Sequence, residues 1–292
     1  MMDDATVQLA FAGFAPIRID RLIERYGSAP RVIAAITGRR VSASGRIRAA
    51  VAVEANTRRK QLAKLEMRLL PAGSDGFPSR LERFEGHPRW LFVRGEVSDQ
   101  PTIGIIGTRT CTAYGLELAE MYGRVAAHQG WSVVSGLARG IDGAAHRGST
   151  SAEGHCHAVL GSGVDVIYPT SNRRLYEEIL SKRGMSSSEY PPGTPPEAWR
   201  FPTRNRIIAG CSDVLLVVEA GITGGALITA RIGLDYGVPV YAVPGDVDRL
   251  TSMGTNLLIR DGAFPVLGPE DLGEVLGLLA AIVAPPRADQ RN

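Results

Sequence analysis

The sequence predicts an α/β fold in which a doubly wound, mostly parallel sheet follows a small helical N-terminal region. Three observations predict this class. From residue 102 onward, short apolar runs rich in β-branched residues alternate with segments of helical periodicity. Glycines directly follow several of these runs, as expected where a parallel strand turns into a helix. Residues 1 to about 65, in contrast, carry apolar residues at helical spacing.

The first 88 residues divide by composition. Three helices are predicted by apolar spacing: 16–26, 30–36 and a longer one over 46–70. Residues 71–88 are dense in Gly, Ser, Asp and Pro, which is typical of a linker. We therefore expect three parts: a helical domain at 1–70, an α/β domain at 71–284 and a disordered tail at 285–292.

The α/β part is predicted element by element from its apolar runs. The predicted strands are 90–94, 102–107, 132–136, 157–161, 187–190, 213–220, 239–244 and 264–267. The predicted helices are 114–129, 140–148, 172–183, 204–211, 224–236, 254–261 and 269–283. In such sheets, ligands bind beyond the carboxyl ends of the strands, where the glycine turns fall here.

Charge is distributed unevenly along the 292 residues. The formal net charge is +3, but residues 1–75 hold 13 Arg and Lys against 7 Asp and Glu, a net of +6 that leaves −3 for the rest. A nucleic-acid footprint in the larger part would therefore be a local patch rather than a uniformly basic body.

The three cysteines are widely spaced and form no CxxC pair, so neither a zinc ribbon nor a disulfide framework is predicted. The chain also shows no signal-peptide pattern and no apolar run of membrane-spanning length. We expect a cytoplasmic protein without membrane insertion.

Glycine turns next to arginines are the predicted ligand-binding feature. Gly107, Gly136, Gly161 and Gly224 lie at or near the ends of predicted strands, where backbone N–H groups and helix starts favour phosphate. Five arginines that follow or flank these turns would border one rim of the sheet: Arg109, Arg139, Arg173, Arg204 and Arg206. One such turn alone is an ordinary strand-to-helix connection. The repetition predicts a site for a polyanion.

Three other groups have structural and chemical interpretations. Asp142 and His146 are four residues apart and would share a helix face, so they could form a structural pair or a catalytic pair. No serine or cysteine nucleophile lies at a companion position, which favours the structural pair. His155 and His157 lie on one strand face without a third ligand, which disfavours a metal site. Phe201 is either a stacking platform for a base or a core aromatic.

Seven segments carry a resemblance to a known family: GIIGTR (104–109), SGLARGIDGAAHRG (135–148), AVLGSGVDVIYP (158–169), SEYPPGTPP (188–196), FPTRNRIIAG (201–210), GALITAR (225–231) and GTNLLIRDGA (254–263). In this order they closely resemble the DprA/Smf family, the DNA-processing proteins of bacterial natural transformation. The resemblance runs from about residue 71 to 268. Residues 15–38 are similar to the family's helical, SAM-like N-terminal domain.

The resemblance implies an extended Rossmann-like core that binds single-stranded DNA without catalysis or cofactor. It also implies loading of a RecA-type recombinase, displacement of a single-strand-binding protein, and a homodimer. The implied DNA-contacting residues are Gly107, Thr108, Arg109, Gly136, Arg139, Gly161, Ser162, Arg173, Phe201, Arg204, Asn205, Arg206 and Gly224.

The chain departs from the family pattern in four places. Thr108 stands where the family usually has a serine, and it keeps the hydroxyl group. The glycine turn at residues 220–226 lacks the basic or serine residue that many family members have there. Acidic residues at 245–249 put one DNA contact in doubt. The C-terminal winged-helix domain of many members is expected to be missing, since about 24 residues follow Gly268.

Two alternative functions remain. One is a nucleotide phosphoribohydrolase of the lysine-decarboxylase-like Rossmann group, which carries a PGGxGTxxE motif with a catalytic glutamate. Residues 221–229 lack that motif, and Glu219 precedes the turn, where a packing or capping role is expected. The other is a nucleotide-sensing or scaffold module without DNA affinity.

Overall fold

A nine-stranded mixed sheet organises the chain, which a computed structural model describes over residues 2–283. The strands are β1 Met67–Pro71, β2 Trp90–Gly95, β3 Thr102–Ile106, β4 Ser132–Ser135, β5 Cys156–Val159, β6 Met185–Ser188, β7 Val214–Val217, β8 Val240–Ala242 and β9 Phe264–Pro265. Their spatial order is β1-β2-β6-β5-β4-β3-β7-β8-β9. Strands β3 to β9 pair in parallel, and β1 and β2 add an antiparallel edge. The predicted α/β class is confirmed.

Helices cover both faces of this sheet. They are α1 Asp4–Ala10, α2 Pro16–Tyr26, α3 Ala29–Thr37, α4 Gly45–Ala52, α5 Ala55–Lys64, α6 Ala113–His128, α7 Ile141–Ser151, α8 Arg173–Ser181, α9 Arg200–Cys211, α10 Gly225–Asp235, α11 Met253–Arg260 and α12 Pro269–Val283. Helices α6, α7, α8 and α12 contribute to one core, whereas α9 and α10 contribute to the other. Strands β3, β4, β5 and β7 are buried along their whole length, which explains their continuous apolar runs.

The sheet reverses its direction of growth at β3. From β3 the chain builds β4, β5 and β6 on one side, then returns to place β7 on the other side. Ile103 to Ile106 of β3 pair in parallel with Val214 to Val217 of β7. The carboxyl ends of β3 and β7 therefore form the topological switch point, where open α/β sheets bind ligands.

The N-terminal helices share a core with the sheet edge. Phe11 and Phe14 are buried together with Trp90 and Phe92 of β2. The rings of Phe11 and Phe92 meet edge to face with centroids 5.3 Å apart. Packing of α1 to α5 on β1 and β2 buries apolar surface of both parts.

The prediction of one long helix over residues 46–70 is wrong. Helix α4 ends at Ala52, Val53 is extended with φ −72° and ψ 128°, and α5 ends at Lys64. Residues 67–71 instead form β1, because they pair with β2 across a long sequence separation. Tertiary pairing thus overrides helix propensity. The predicted domain division after residue 70 falls inside this strand.

Two further segments differ from expectation. The linker-like passage contains a short 3-10 helix, Ser79–Arg83, and buries Phe77 and Leu81 in the core. Helix α9 begins at Arg200, four residues before its predicted start, so Phe201 and Arg204 lie on one helix. The tail predicted at 285–292 lies outside the described residues. Among the helices within 2–283, none is long and apolar enough to cross a membrane.

Candidate nucleic-acid interface

An open cleft of about 680 Å³ lies at the switch point. We call it the switch-point cleft and define it by the segments that line it: the turn after β3 (106–109), the first half of α9, the turn after β7 with the start of α10 (220–229), and Tyr168. Seven of the thirteen residues predicted from sequence line it: Gly107, Thr108, Arg109, Phe201, Arg204, Asn205 and Gly224.

The turn after β3 is held by its neighbours. The Thr108 N–H donates to the Glu219 carbonyl at 2.8 Å, which ties the turn to the end of β7. A Cβ on Gly107 would lie 2.8 Å from that same carbonyl and against Ile141, so a side chain has no room there. Arg109 follows with an exposed side chain. The fixed backbone thereby presents an exposed cation at the cleft.

Aromatic rings form one wall of the cleft. Phe201 and Tyr168 are stacked with ring centroids 5.6 Å apart and an interplanar angle of 30°. The Arg109 guanidinium lies 4.9 Å from the Phe201 centroid, within cation–π range. Gly161 packs against the edge of the same ring. Phe201 is half-buried, whereas Tyr168 is 47% exposed, so Tyr168 offers the more accessible ring.

Arg204 is buried beneath the cleft rather than exposed on a rim. It is 4% exposed, its Nη1 donates to the Val159 carbonyl, and its guanidinium contacts Gly136, where any Cβ would collide with it. Burial lowers the pKa of Arg204 to about 10, and Asp142 opposes this effect. Arg204 therefore joins α9 to the ends of β4 and β5.

Asp142 lies beside Arg204 in the floor of the cleft. Its Oδ2 accepts a hydrogen bond from the Gly136 N–H at 3.1 Å, directly after β4, so the carboxyl group binds the turn before α7 and does not cap the helix. Burial raises the pKa of Asp142, and the Arg204 charge lowers it in opposition. The net shift of the Asp142 pKa is upward, so a buried carboxyl group lies beside the Arg204 guanidinium in the floor of the cleft.

Arg206 is committed to an ion pair outside the cleft. Its two terminal nitrogens donate to the Glu189 carboxylate at 2.8 and 2.7 Å. Burial lowers the pKa of Arg206, but the Glu189 charge outweighs this and the net shift is upward. The planar fork of arginine suits this bidentate contact, which leaves little capacity for another anion.

The N-terminus of α10 opens into the cleft. Gly224 and Gly225 are exposed there, and no atom outside the local chain lies within 4 Å of a Cβ built on Gly224. Asn205 donates through Nδ2 to the Gly225 carbonyl at 3.2 Å, which fixes α9 against this helix start. Free N–H groups and the positive end of the helix dipole favour an anion at this point.

The remaining predicted residues lie away from the cleft lining. Ser162 is 2% exposed, and its hydroxyl donates to the Val166 carbonyl at 2.7 Å. Arg139 and Arg173 are exposed but do not line the cleft. Of the five arginines expected on one rim, the structure therefore brings only Arg109 and Arg204 to the cleft.

Sequence reasoning missed Tyr168 and undervalued Asp142. Tyr168 reaches the cleft from the long connection after β5, and no periodic pattern marks it. The adjacent Pro169 and the preceding glycine turn are the signals that could have directed attention to it.

Glu219, His155 and His157 have structural partners, whereas neither buried ring nitrogen of His146 has a hydrogen-bond partner within the described residues. Glu219 accepts hydrogen bonds from the Thr112 N–H at 2.9 Å and the Thr112 hydroxyl at 2.6 Å, at the start of α6. This matches the capping role expected for it. His157 forms a hydrogen bond with the Ser187 hydroxyl at 2.7 Å, and His155 forms one with the Ser132 hydroxyl at 2.7 Å. Over residues 2–283, no three His, Cys, Asp or Glu side chains converge as a metal site would require.

Comparison with known proteins gives consistent matches. Residues 68–277 match the family model of DNA recombination-mediator protein A. Protein Smf of Escherichia coli is 40% identical over 210 residues, which cover 71% of this chain and 56% of that protein. DNA processing protein DprA of Bacillus subtilis is 39% identical over 210 residues, which cover 71% of this chain and 70% of that protein. The aligned region thus spans little more than half of the Escherichia coli relative.

Solved structures also resemble the fold, among them two of DNA processing protein A. The X-ray structure of DprA from Streptococcus pneumoniae superposes with a TM-score of 0.77 at 28% identity and covers 93% of this chain and 98% of that one. DNA processing protein A from Helicobacter pylori, whose structure was described for its single-stranded DNA binding mode, gives 0.65 at 27% identity over 72% and 95% of the two chains. With the family match over residues 68–277, these similarities show that the chain belongs to the DNA recombination-mediator protein A family, also called DprA or Smf.

Proposed function

We propose that the switch-point cleft binds single-stranded DNA. One observation carries this proposal: an exposed arginine, an open helix N-terminus and a stacked aromatic pair face one cavity. Phosphate oxygens suit the α10 N-terminus and Arg109, and bases suit the rings of Tyr168 and Phe201. A duplex hides its base faces, so the aromatic wall favours an unpaired strand.

The size and charge of the cleft agree with this ligand. A volume of about 680 Å³ is within the range of cofactor-sized sites, so it accommodates nucleotide-sized groups. Base stacking contributes about 1–3 kcal/mol for each base and tolerates any sequence. Phosphate contacts make the affinity depend on salt. We therefore expect binding with little base specificity.

Fluorescence anisotropy with a labelled oligo-dT strand and a matched duplex tests the proposal. Arg109→Ala should weaken single-strand binding and lower the salt slope by about 0.7, the contribution of one phosphate on a single strand. Arg231→Ala is a matched control, because Arg231 is exposed but does not line the cleft. Unchanged affinity in Arg109→Ala would remove the cleft as the DNA site.

We further propose that the bound strand is passed to a RecA-type recombinase in the cytoplasm, with displacement of a single-strand-binding protein and without catalysis. Support comes from family membership and from the capping role of Glu219, which leaves the hydrolase alternative without a free carboxylate at that position. Recombinase filament assembly on strands coated with single-strand-binding protein should accelerate with this protein and not with Arg109→Ala. Nucleoside monophosphate hydrolysis abolished by Glu219→Gln would contradict the non-catalytic proposal.

We also propose a homodimer, with exposed apolar residues at the β9 end of the sheet as the contact. Phe264 is 58% exposed and Leu267 is 77% exposed at this edge. Large apolar side chains grouped on a surface are typical of protein interfaces.

A further inference from the structure

The junction between α3 and α4 concentrates positive charge that has no carboxylate partner. Between Glu24 and Glu54 the chain has six arginines and no acidic residue. Four of these arginines lie in residues 38–48: Arg39, Arg40, Arg46 and Arg48. A fifth joins from α2, since Arg18 donates through Nη2 to the Ser42 carbonyl. We call residues 38–48 together with Arg18 the arginine junction.

The backbone of this junction is held in place. Helix α3 ends at Thr37 and α4 begins at Gly45, with Ser44 as its N-cap. The Ser44 hydroxyl accepts a hydrogen bond from the Ile47 N–H at 3.2 Å. The remaining N–H groups at the start of α4 therefore add the positive end of a helix dipole to the arginine charges.

The arginines are exposed and not neutralised within the described part of the chain. Arg18, Arg39, Arg40 and Arg46 are exposed, and none of them approaches a carboxylate of residues 2–283 within 4.0 Å. Carboxylates of the same domain pair elsewhere: Asp4 binds Arg59 at 2.7 Å, and Asp20 binds Arg89 at 2.6 Å. The junction is thus a local positive patch, and Asp4 and Asp20 of the same domain pair with arginines outside it.

The side chains of the junction also indicate the form of polyanion. Residues 38–48 contain Gly, Ala, Ser, Val, Ile and Arg but no aromatic residue. The Phe14 ring lies under the Arg18 guanidinium but is buried, so residues 38–48 with Arg18 offer no exposed aromatic ring for an unpaired base, in contrast to the switch-point cleft. Small residues between arginines let a rigid backbone approach closely, and a duplex presents about one phosphate per 1.7 Å of axis. Phosphate contacts without base contacts position a duplex but do not read its sequence.

We propose that the arginine junction is a second nucleic-acid-binding surface, one that binds the backbone of duplex DNA independently of the switch-point cleft. It reaches beyond the single-strand binding proposed above, because duplex binding requires neither the aromatic wall nor Arg109. The contact is electrostatic and sequence-independent, and it falls steeply with salt.

The test uses the full chain and a duplex closed at both ends by non-nucleotide linkers, so that no unpaired strand can enter the cleft. Arg40→Gln with Arg46→Gln should lower the magnitude of the duplex salt slope by about two and weaken binding at least roughly tenfold at about 0.1 M salt. Lys60→Gln with Lys64→Gln is the control: it removes the same charge from exposed positions on α5. Oligo-dT binding should change little in either variant.

Three results would overturn the proposal. They are absence of wild-type binding to the closed duplex, an equal loss in the arginine and lysine variants, or a loss of duplex binding in Arg109→Ala. Conversely, retained duplex binding by an Arg109→Ala protein that no longer binds oligo-dT would separate the two sites. Failure of the cleft as a single-strand site would leave the duplex measurement intact.

Discussion

Arginines in the FPTRNR segment show how one residue type takes different roles. Arg204 and Arg206 are two positions apart on α9, yet one lies under the cleft against Val159 and the other pairs with Glu189. Arg109, on a turn far away in sequence, is the exposed cation at the cleft. Spacing along the helix separates their directions, but the partners that they meet decide whether they bind ligand or hold the fold.

The buried position of Arg204 predicts a stability effect that Arg109 lacks. Arg204→Met should destabilise the protein by about 1–3 kcal/mol, because it removes the buried donor to the Val159 carbonyl and the positive charge beside Asp142. Arg109→Ala should change stability by less than about 0.5 kcal/mol, since its side chain is exposed. Urea denaturation measures both. Adding Asp142→Asn to Arg204→Met should restore part of the loss, whereas no coupling between the two changes would contradict the buried pair.

His146 predicts a loss of stability in acid. It is fully buried on α7, and burial lowers its pKa to about 4, with smaller contributions from Arg204 and Arg147. The unfolded chain takes up this proton near pH 6.5, so stability falls as pH drops from there toward 4. The loss attributable to His146 at pH 4.5 is roughly 2–3 kcal/mol.

The free energy of unfolding at pH 7 and pH 4.5 checks this sign. His146→Met should show a smaller acid loss than the wild type, and His128→Gln, at an exposed position, should not. An equal loss of unfolding free energy in all three proteins would mean that the folded protein takes up the His146 proton as readily as the unfolded chain does. His157 on β5, whose pKa burial lowers to about 3, contributes to the acid loss in the same direction.

At the level of elements, local pattern predicted the helices and strands of the α/β part well. The buried strands β3, β4 and β7 appear within a few residues of their predicted positions, because apolar runs and flanking glycines are local signals. Prediction failed at β1, where residues 67–71 continue a helix-like composition but pair with β2. A strand defined by a distant partner leaves a weak local signal.

The contact between α6 and α7 predicts a glycine requirement. A Cβ on Gly148 of α7 would collide with the Glu120 carbonyl of α6, and one on Gly123 of α6 would collide with the Ala145 carbonyl of α7. Gly148→Ala should therefore destabilise the protein by about 2 kcal/mol or more, since neither helix backbone can yield cheaply. Thermal unfolding gives the measurement.

Gly277→Ala is the matched control for that substitution. Gly277 lies in α12, is exposed, and has no atom within 4 Å of a built Cβ. Alanine should stabilise α12 there by about 0.5–1 kcal/mol through helix propensity alone. If both variants changed the stability by the same amount, the close crossing of α6 and α7 would not be the cause of the Gly148→Ala effect.

At the scale of the whole molecule, the sheet order creates the cleft and leaves one edge apolar. The turns after β3 and β7 are more than 100 residues apart in sequence, yet adjacent strands bring them together. At the other end of the order, β9 pairs with β8, and Phe264 is exposed with its ring centroid 5.2 Å from that of Tyr241 of β8. Exposed strand edges are natural sites of association.

The β9 edge predicts dimerisation that one charge should abolish. Phe264→Asp should convert a dimer to a monomer in sedimentation velocity, because burying an unpaired carboxylate in an apolar contact is costly. Leu278→Asp serves as the control, since Leu278 is 74% exposed on α12 rather than on β9. A wild type that sediments as a monomer, or a Phe264→Asp dimer, would exclude this edge as the interface.

The sequence by itself determined the alternation of strands and helices, the glycine turns and the ordered motifs that mark the family, because each depends on residues close together in the chain. The tertiary structure decided which predicted side chains face the cleft. Arg204 is buried against Val159, and Arg206 is half-buried in an ion pair with Glu189. Val159 and Glu189 lie 45 and 17 residues away in sequence, on or next to neighbouring strands, and Tyr168 comes from a third connection. Burial and ion pairing depend on those distant partners, and a one-dimensional pattern does not contain their positions.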